Sequence, residues 1–157
     1  MNIQIEMQNG GIIKAELYPD VAPITVENFV KLINENFFDG LVFHRVIEGF
    51  MIQGGGFDAV GNHKDAESIK GEFMSNGVRN MLKHERGVLS MARTMFPNSA
   101  SSQFFIMHKD APHLDGQYAA FGKVTDGMDV VDAIATCQTA CDDKPVVPQV
   151  IKTIKMI

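Results

Sequence analysis

The sequence predicts a mainly β fold: an eight-stranded antiparallel closed β-barrel capped by two α-helices. Three observations lead there. Short alternations of apolar and polar residues recur along the chain, as half-buried strands require. Only two stretches switch to a helical period. No strand–helix unit repeats, which removes the doubly wound parallel sheets. With this many antiparallel strands, closure is the arrangement that leaves no sticky edge.

The elements follow in order. Ile3, Ile5 and Met7 alternate with Gln4, Glu6 and Gln8. Asn9-Gly10-Gly11 comes next, a hairpin turn because Asn and Gly tolerate positive φ. Ile13, Ala15 and Leu17 share one face of the returning strand, which Tyr18-Pro19-Asp20 ends. Val26, Phe29, Val30 and Ile33 then fall at i, i+3, i+4 and i+7, the stripe of an amphipathic helix, with Pro23 in its first turn. Stop signals run from Asn34 to Gly40. Further strands are expected near 41–47, 50–54, 87–93, 103–107, 119–124 and 149–156. A second helix is expected from about Gly127 to Ala135, with Asp126 as its cap and Asp129 near the positive end of its dipole. The helices would plug the barrel ends. Two loops stand out: the polar stretch from Phe57 to Arg86, functional or mobile at that length, and Thr94 to Ser102.

The chain has 157 residues, 45% hydrophobic and 21% charged, with a formal net charge of −5. That length fits one domain, 1–157, able to bury a sizeable core. The negative charge argues against general nucleic-acid binding, which wants a basic face. No apolar run reaches the length of a membrane span, and the alternating start is unlike a secretory signal. A cytoplasmic location is the expectation, with Cys137 and Cys141 as reduced thiols. The five histidines show no metal-ligand spacing, and no cofactor is expected. Gly54-Gly55-Gly56 is followed by no Lys-Ser/Thr, so it reads as close backbone approach rather than a phosphate loop. Ser90, Ser99, Ser101 and Ser102 read as turn and strand residues, with no His and Asp tied to them.

The most informative run is Phe43-His44-Arg45-Val46-Ile47-Glu48-Gly49-Phe50-Met51-Ile52-Gln53-Gly54-Gly55. It sets one arginine and one glutamine among large apolar residues. An arginine is rarely buried without a partner, while Phe50, Met51 and Ile52 are too apolar for an ordinary surface. A wet, apolar groove with a fixed cation satisfies both. Strand alternation puts Gln103 and Phe105 on one face, and Met51 and Gln53 on another. Two strands thus each offer an amide beside a large apolar group, as suits a peptide backbone and an apolar side chain. Phe104, Ile106 and Phe121 are assigned to the core.

This run resembles the signature of the cyclophilins, the peptidyl-prolyl cis-trans isomerases. Leu89-Ser90-Met91-Ala92, Ser102-Gln103-Phe104-Phe105-Ile106, Leu114-Asp115-Gly116 and Phe121-Gly122-Lys123-Val124 match in the same order, and the compact length resembles the single-domain bacterial members. The resemblance implies an eight-stranded barrel capped by two helices, in agreement with the strand count. It implies Arg45 as the catalytic residue and Phe50, Met51, Phe105 and Leu114 as the lining of a proline pocket. Gln53 and the backbone of Arg93, beside Ala92, would hold the substrate main chain, and Gln103 would support that wall. His113 stands where many members carry a tryptophan that contributes to cyclosporin binding, so weak binding of that drug is the expectation. Tyr118 replaces a frequent histidine at the pocket rim. The implied partners are proline-containing peptides and folding proteins, with no nucleic acid and no membrane; nothing demands a second subunit, so a monomer is expected.

The chemistry suits an arginine. Rotation about an X-Pro amide faces a barrier of roughly 18–20 kcal/mol, and uncatalysed exchange takes on the order of tens to hundreds of seconds. No bond is made or broken. At the twisted midpoint the prolyl nitrogen regains a lone pair, so a donor aimed there favours the transition state over the planar amide. Two other readings stay open from sequence: a proline-peptide binding module, and a hollow barrel carrying small apolar ligands.

Overall fold

A computed structural model describes residues 1–157. Eight strands form one sheet: β1 (Asn2–Met7), β2 (Ile12–Leu17), β3 (Leu41–Ile47), β4 (Met51–Asp58), β5 (Val88–Met91), β6 (Phe104–Met107), β7 (Ala120–Asp126) and β8 (Ile151–Met156). Their order is β3-β4-β6-β5-β7-β2-β1-β8, every pairing antiparallel. Between β8 and β3 the barrel closes by a single bridge, Val42 to Val150, with the N–H groups of Phe43 and Gly40 donating to the carbonyls of Gln149 and Ile151 at 3.0 and 2.9 Å. The barrel is therefore nearly closed, with one thin seam.

The opening hairpin follows its sequence signal. Gly10 takes φ +94°, and Asn9 Oδ1 accepts from the Gly11 N–H at 2.9 Å. Helix α1 (Pro23–Asn34) starts at the expected proline and ends before Asn36, at φ +55°. Its apolar stripe buries Val26, Phe29, Leu32 and Ile33. Phe29 reaches the barrel interior, 5.0 Å from the rings of Phe38 and Phe121 and 5.2 Å from Phe104. Phe43 also meets Phe104 edge-on at 5.8 Å. These rings are essentially inaccessible, and each fully buried ring is worth about 1.5–3 kcal/mol of transfer free energy. The interior is filled, which removes the hollow-carrier reading.

Helix α2 (Met128–Ala135) occupies the expected place, but Asp126 is not its cap. The N-cap is Gly127 at φ +95°, with no side-chain capping bond. A Cβ there would lie 2.2 Å from the carbonyl oxygen of Ile12, so close passage of β2 selects glycine over a capping side chain.

The stretch from Phe57 to Arg86 is a long loop, as expected, but a firmly anchored one. It begins inside β4 and is anchored from within by Glu72, Phe73, Asn80 and His84, all buried. Glu72 Oε1 accepts from both the N–H and the hydroxyl of Thr25 on α1, at 2.6 and 2.7 Å. Asn80 donates to the carbonyls of Glu72 and Ala120, each at 2.9 Å. Three short 3-10 turns, at Met74–Asn76, Pro112–Leu114 and Cys141–Asp143, carry no periodic signal in the sequence.

The triple glycine behaves as expected. A Cβ on Gly54 would sit 2.7 Å from the Val42 carbonyl, and one on Gly56 only 2.5 Å from Gln103 Cγ. No helix is long and apolar enough to cross a membrane.

Candidate active site

The β3–β4 hairpin sets the site. Its register pairs Arg45 with Gln53 and Ile47 with Met51, while β4 pairs Gln53 with Phe105 on β6. Arg45, Gln53 and Phe105 therefore lie in one row across three strands. Met51 and Phe50 follow at the turn, and Leu114 and His113 arrive from the 3-10 turn after β6.

Ten of the eleven expected residues line one cavity of about 460 Å³: Arg45, Phe50, Met51, Gln53, Ala92, Arg93, Phe105, His113, Leu114 and Tyr118. Gln103 stands just outside it. Its Oε1 accepts from Gln53 Nε2 at 3.0 Å, and it lines an adjoining cavity that shares Gln53, Ala92 and Arg93. Met51, Phe105 and Leu114 are buried, whereas Arg45 is exposed at the rim. Phe50 lies against His113, ring centroids 5.8 Å apart at 29°. Tyr118 meets Phe105 edge-on at 5.8 Å. The cavity thus has an apolar floor, aromatic sides and one amide, Gln53, on its wall, with Gln103 behind it.

Its two guanidiniums differ. Arg93 Nε and Nη2 donate to the Gln117 carbonyl at 3.0 and 2.7 Å, and Nη1 donates to the Thr94 carbonyl at 2.9 Å. The same group lies over the rings of Phe73 and Tyr118. Each of its three nitrogens is thus tied to a backbone carbonyl. Arg45 makes one long contact, Nη1 to Gln53 Oε1 at 3.4 Å, and forms no salt bridge. It is the cation with donors to offer.

A second cavity of about 540 Å³ also touches Arg45, on the side of His44, Phe57 and the 141–148 segment. Carboxylates and Lys144 ring it, and it holds no amide side chain, so it lacks means to read a peptide main chain. Burial and then the neighbouring Arg45 charge push the His44 pKa down to about 4, and its Nδ1 has no partner.

One group went unread in the sequence and corrects an expectation. Ser90 is tied to a histidine and an aspartate after all. His84 Nε2 lies 2.8 Å from Ser90 Oγ, and its Nδ1 lies 3.0 Å from Asp115 Oδ1, which also accepts the His84 backbone N–H. The ionised Asp115 places the proton on Nδ1, so Nε2 accepts from the Ser90 hydroxyl. Ser90 is fully buried behind Phe105, its cross-strand partner. No substrate carbonyl reaches it, and it remains a strand residue. The row braces the cavity floor, with the His84 ring stacked on Phe105 at 6.0 Å. Its members are scattered along the chain, so no local motif announces them.

Comparison with known proteins agrees with this geometry. The family model described as cyclophilin type peptidyl-prolyl cis-trans isomerase/CLD matches residues 2–156. A peptidyl-prolyl cis-trans isomerase of Acinetobacter baylyi is 49% identical over 146 residues, covering 88% of this chain and 75% of the relative. Isomerase CYP18-1 of Arabidopsis thaliana is 46% identical over 138 residues, covering 87% and 84%. A cyclophilin type isomerase of Cryptosporidium parvum, crystallised in the presence of the dipeptide Ala-Pro, superposes with TM-score 0.83 at 31% identity over 98% of this chain and 97% of its own. The chain belongs to the cyclophilin-type peptidyl-prolyl cis-trans isomerases. Its enzyme class is accordingly that of an isomerase.

Proposed function

We propose that the chain accelerates rotation about X-Pro bonds in folding proteins by a hydrogen bond from Arg45 to the prolyl nitrogen. The observation that carries this is the contrast between the two guanidiniums: all three nitrogens of Arg93 are tied to backbone carbonyls, while Arg45 faces the same cavity with one long contact. The proline ring sits among Phe50, Met51, Phe105 and Leu114. Gln53 and the backbone beside Ala92 hold the main chain, Gln103 steadies Gln53 from behind, and His113 and Tyr118 form the rim. As the carbonyl side turns, the nitrogen becomes pyramidal and accepts from Arg45; the planar ground state accepts almost nothing there, so the bond lowers the barrier selectively. The apolar floor strips water from the amide and adds to the effect.

The same reading makes the chain a one-domain cytoplasmic monomer acting on proline-containing segments. His113 in place of an indole leaves cyclosporin only weakly held. The free Cys137 and Cys141 fit a reducing compartment.

The test is isomerisation of a short X-Pro peptide by the wild type and Arg45→Ala. Turnover should fall about 10- to 100-fold, the value of one charge-assisted hydrogen bond. Peptide affinity, followed by NMR titration, should persist within a few fold. An unchanged rate refutes the mechanism. A wild type that binds such peptides without isomerising them favours the binding-module reading.

A further inference from the structure

Phe50 reaches the cavity from the turn between β3 and β4, and that turn is held from outside its own strands. The Phe50 carbonyl accepts from the His108 N–H at 2.8 Å, and the Gly49 N–H donates to His108 Nδ1 at 2.8 Å. Because Nδ1 accepts, the ring proton sits on Nε2. Nε2 lies 3.1 Å from Asp132 Oδ1, on α2. Arg86 grips the same carboxylate with two bonds of 2.7 Å, and its Nη1 donates back to the His108 carbonyl at 2.9 Å. Arg86, Asp132 and His108 thus close a ring, and His108 is buried within it. The Arg86 hydrogen bond also holds the Asp132 carboxyl below its usual range.

None of these three residues lines the cavity. Glu48 and Gly49 are exposed, and Phe50 is only half-buried, with His113 as its one close aromatic neighbour. Phe50 also packs on the apolar cluster of Met51, Phe105 and Leu114, and its N–H closes the turn on the Ile47 carbonyl at 3.0 Å, but His108 is the side chain that ties the exposed tip at Gly49.

We propose that His108, backed by Asp132 and Arg86, is a positioning residue that clamps the β3–β4 turn so that Phe50 stays packed on His113, and so sets how tightly the client's proline is held. This rests on reading the cavity as the proline site. Arg45 lies in the ladder beyond the turn, paired with Gln53. The clamp therefore acts on binding and leaves the rotation step alone.

The experiment compares KM and kcat on a short X-Pro peptide for the wild type, His108→Ala, His108→Asn, Asp132→Asn, Phe50→Ala and the double variant His108→Ala/Phe50→Ala. His108→Ala should raise KM about fivefold, the net value of one hydrogen bond, with kcat within about twofold. His108→Asn, whose amide oxygen can take the Gly49 N–H, should recover most of that loss. The double variant should be no worse than Phe50→Ala alone, because one residue acts through the other. Should His108→Ala fail to fold, Asp132→Asn carries the test: it loosens the clamp from behind, and KM should rise about twofold. A lowered melting temperature with wild-type KM, or losses that simply add in the double variant, would overturn the clamp. Wild-type kinetics in Phe50→Ala would overturn both the clamp and the reading of the cavity.

Discussion

Arg45 and Arg93 show how neighbours decide the use of one side-chain type. Both line the cavity, yet Arg93 spends its donors on the carbonyls of Gln117 and Thr94. Arg93→Ala should therefore loosen the Tyr118 rim and raise KM several-fold with little change in kcat. Arg45→Lys should lose most turnover although the charge remains, because an ammonium cannot reproduce the rigid fork; steady-state kinetics separate the two cases. The face shared by Met51 and Gln53, and that shared by Gln103 and Phe105, were legible because strand alternation fixes them locally, whereas the register that sets Arg45, Gln53 and Phe105 in one row depends on the distant pairing of β4 with β6. The Ser90–His84–Asp115 row was not legible. His84 lies six residues from Ser90 and 31 from Asp115, and only the folded path of the 59–87 segment brings them together.

Elements were legible where the pattern is periodic and lost where the fold overrides local preference. Both hairpin and helix α1 follow their signals closely. The start of α2 does not, because proximity to β2 outweighs the capping preference of Asp126. Gly127→Ala tests this: it combines a left-handed φ with a Cβ pushed against the Ile12 carbonyl. Strained backbone of this kind costs about 1–3 kcal/mol, so the urea midpoint should drop with an unchanged slope. The long segment before β5 was legible as a loop, but its anchoring was not, because its buried anchors, Glu72, Asn80 and His84, are polar. Their burial depends on partners such as Thr25 and Asp115, which the local sequence does not show.

The molecule as a whole should weaken in acid through its buried imidazoles. Burial lowers the pKa of His44 to about 4, and burial lowers that of His84 against the opposing pull of Asp115. Both lie below the unfolded value of about 6.5, so the unfolded chain binds more protons on acidification. Their contribution is complete above about pH 6.5 and is lost as pH falls toward 4. Asp132 and Asp58, also lowered, extend the decline below that. Denaturation midpoints at pH 7, 5.5 and 4.5 should fall in that order, and His44→Phe should flatten the upper part of the fall. Equal midpoints across this range would contradict the assignment.

The junction of β8 with β3 has a dynamic consequence. Every other neighbouring pair of strands is laced by a ladder, but here one bridge and two bonds do the joining. Thermal breathing should start at this weak lacing and spread along β3 toward Arg45. Deuterium should reach the Gly40 and Phe43 amides well before those of β1, while the phenyl-packed centre stays protonated.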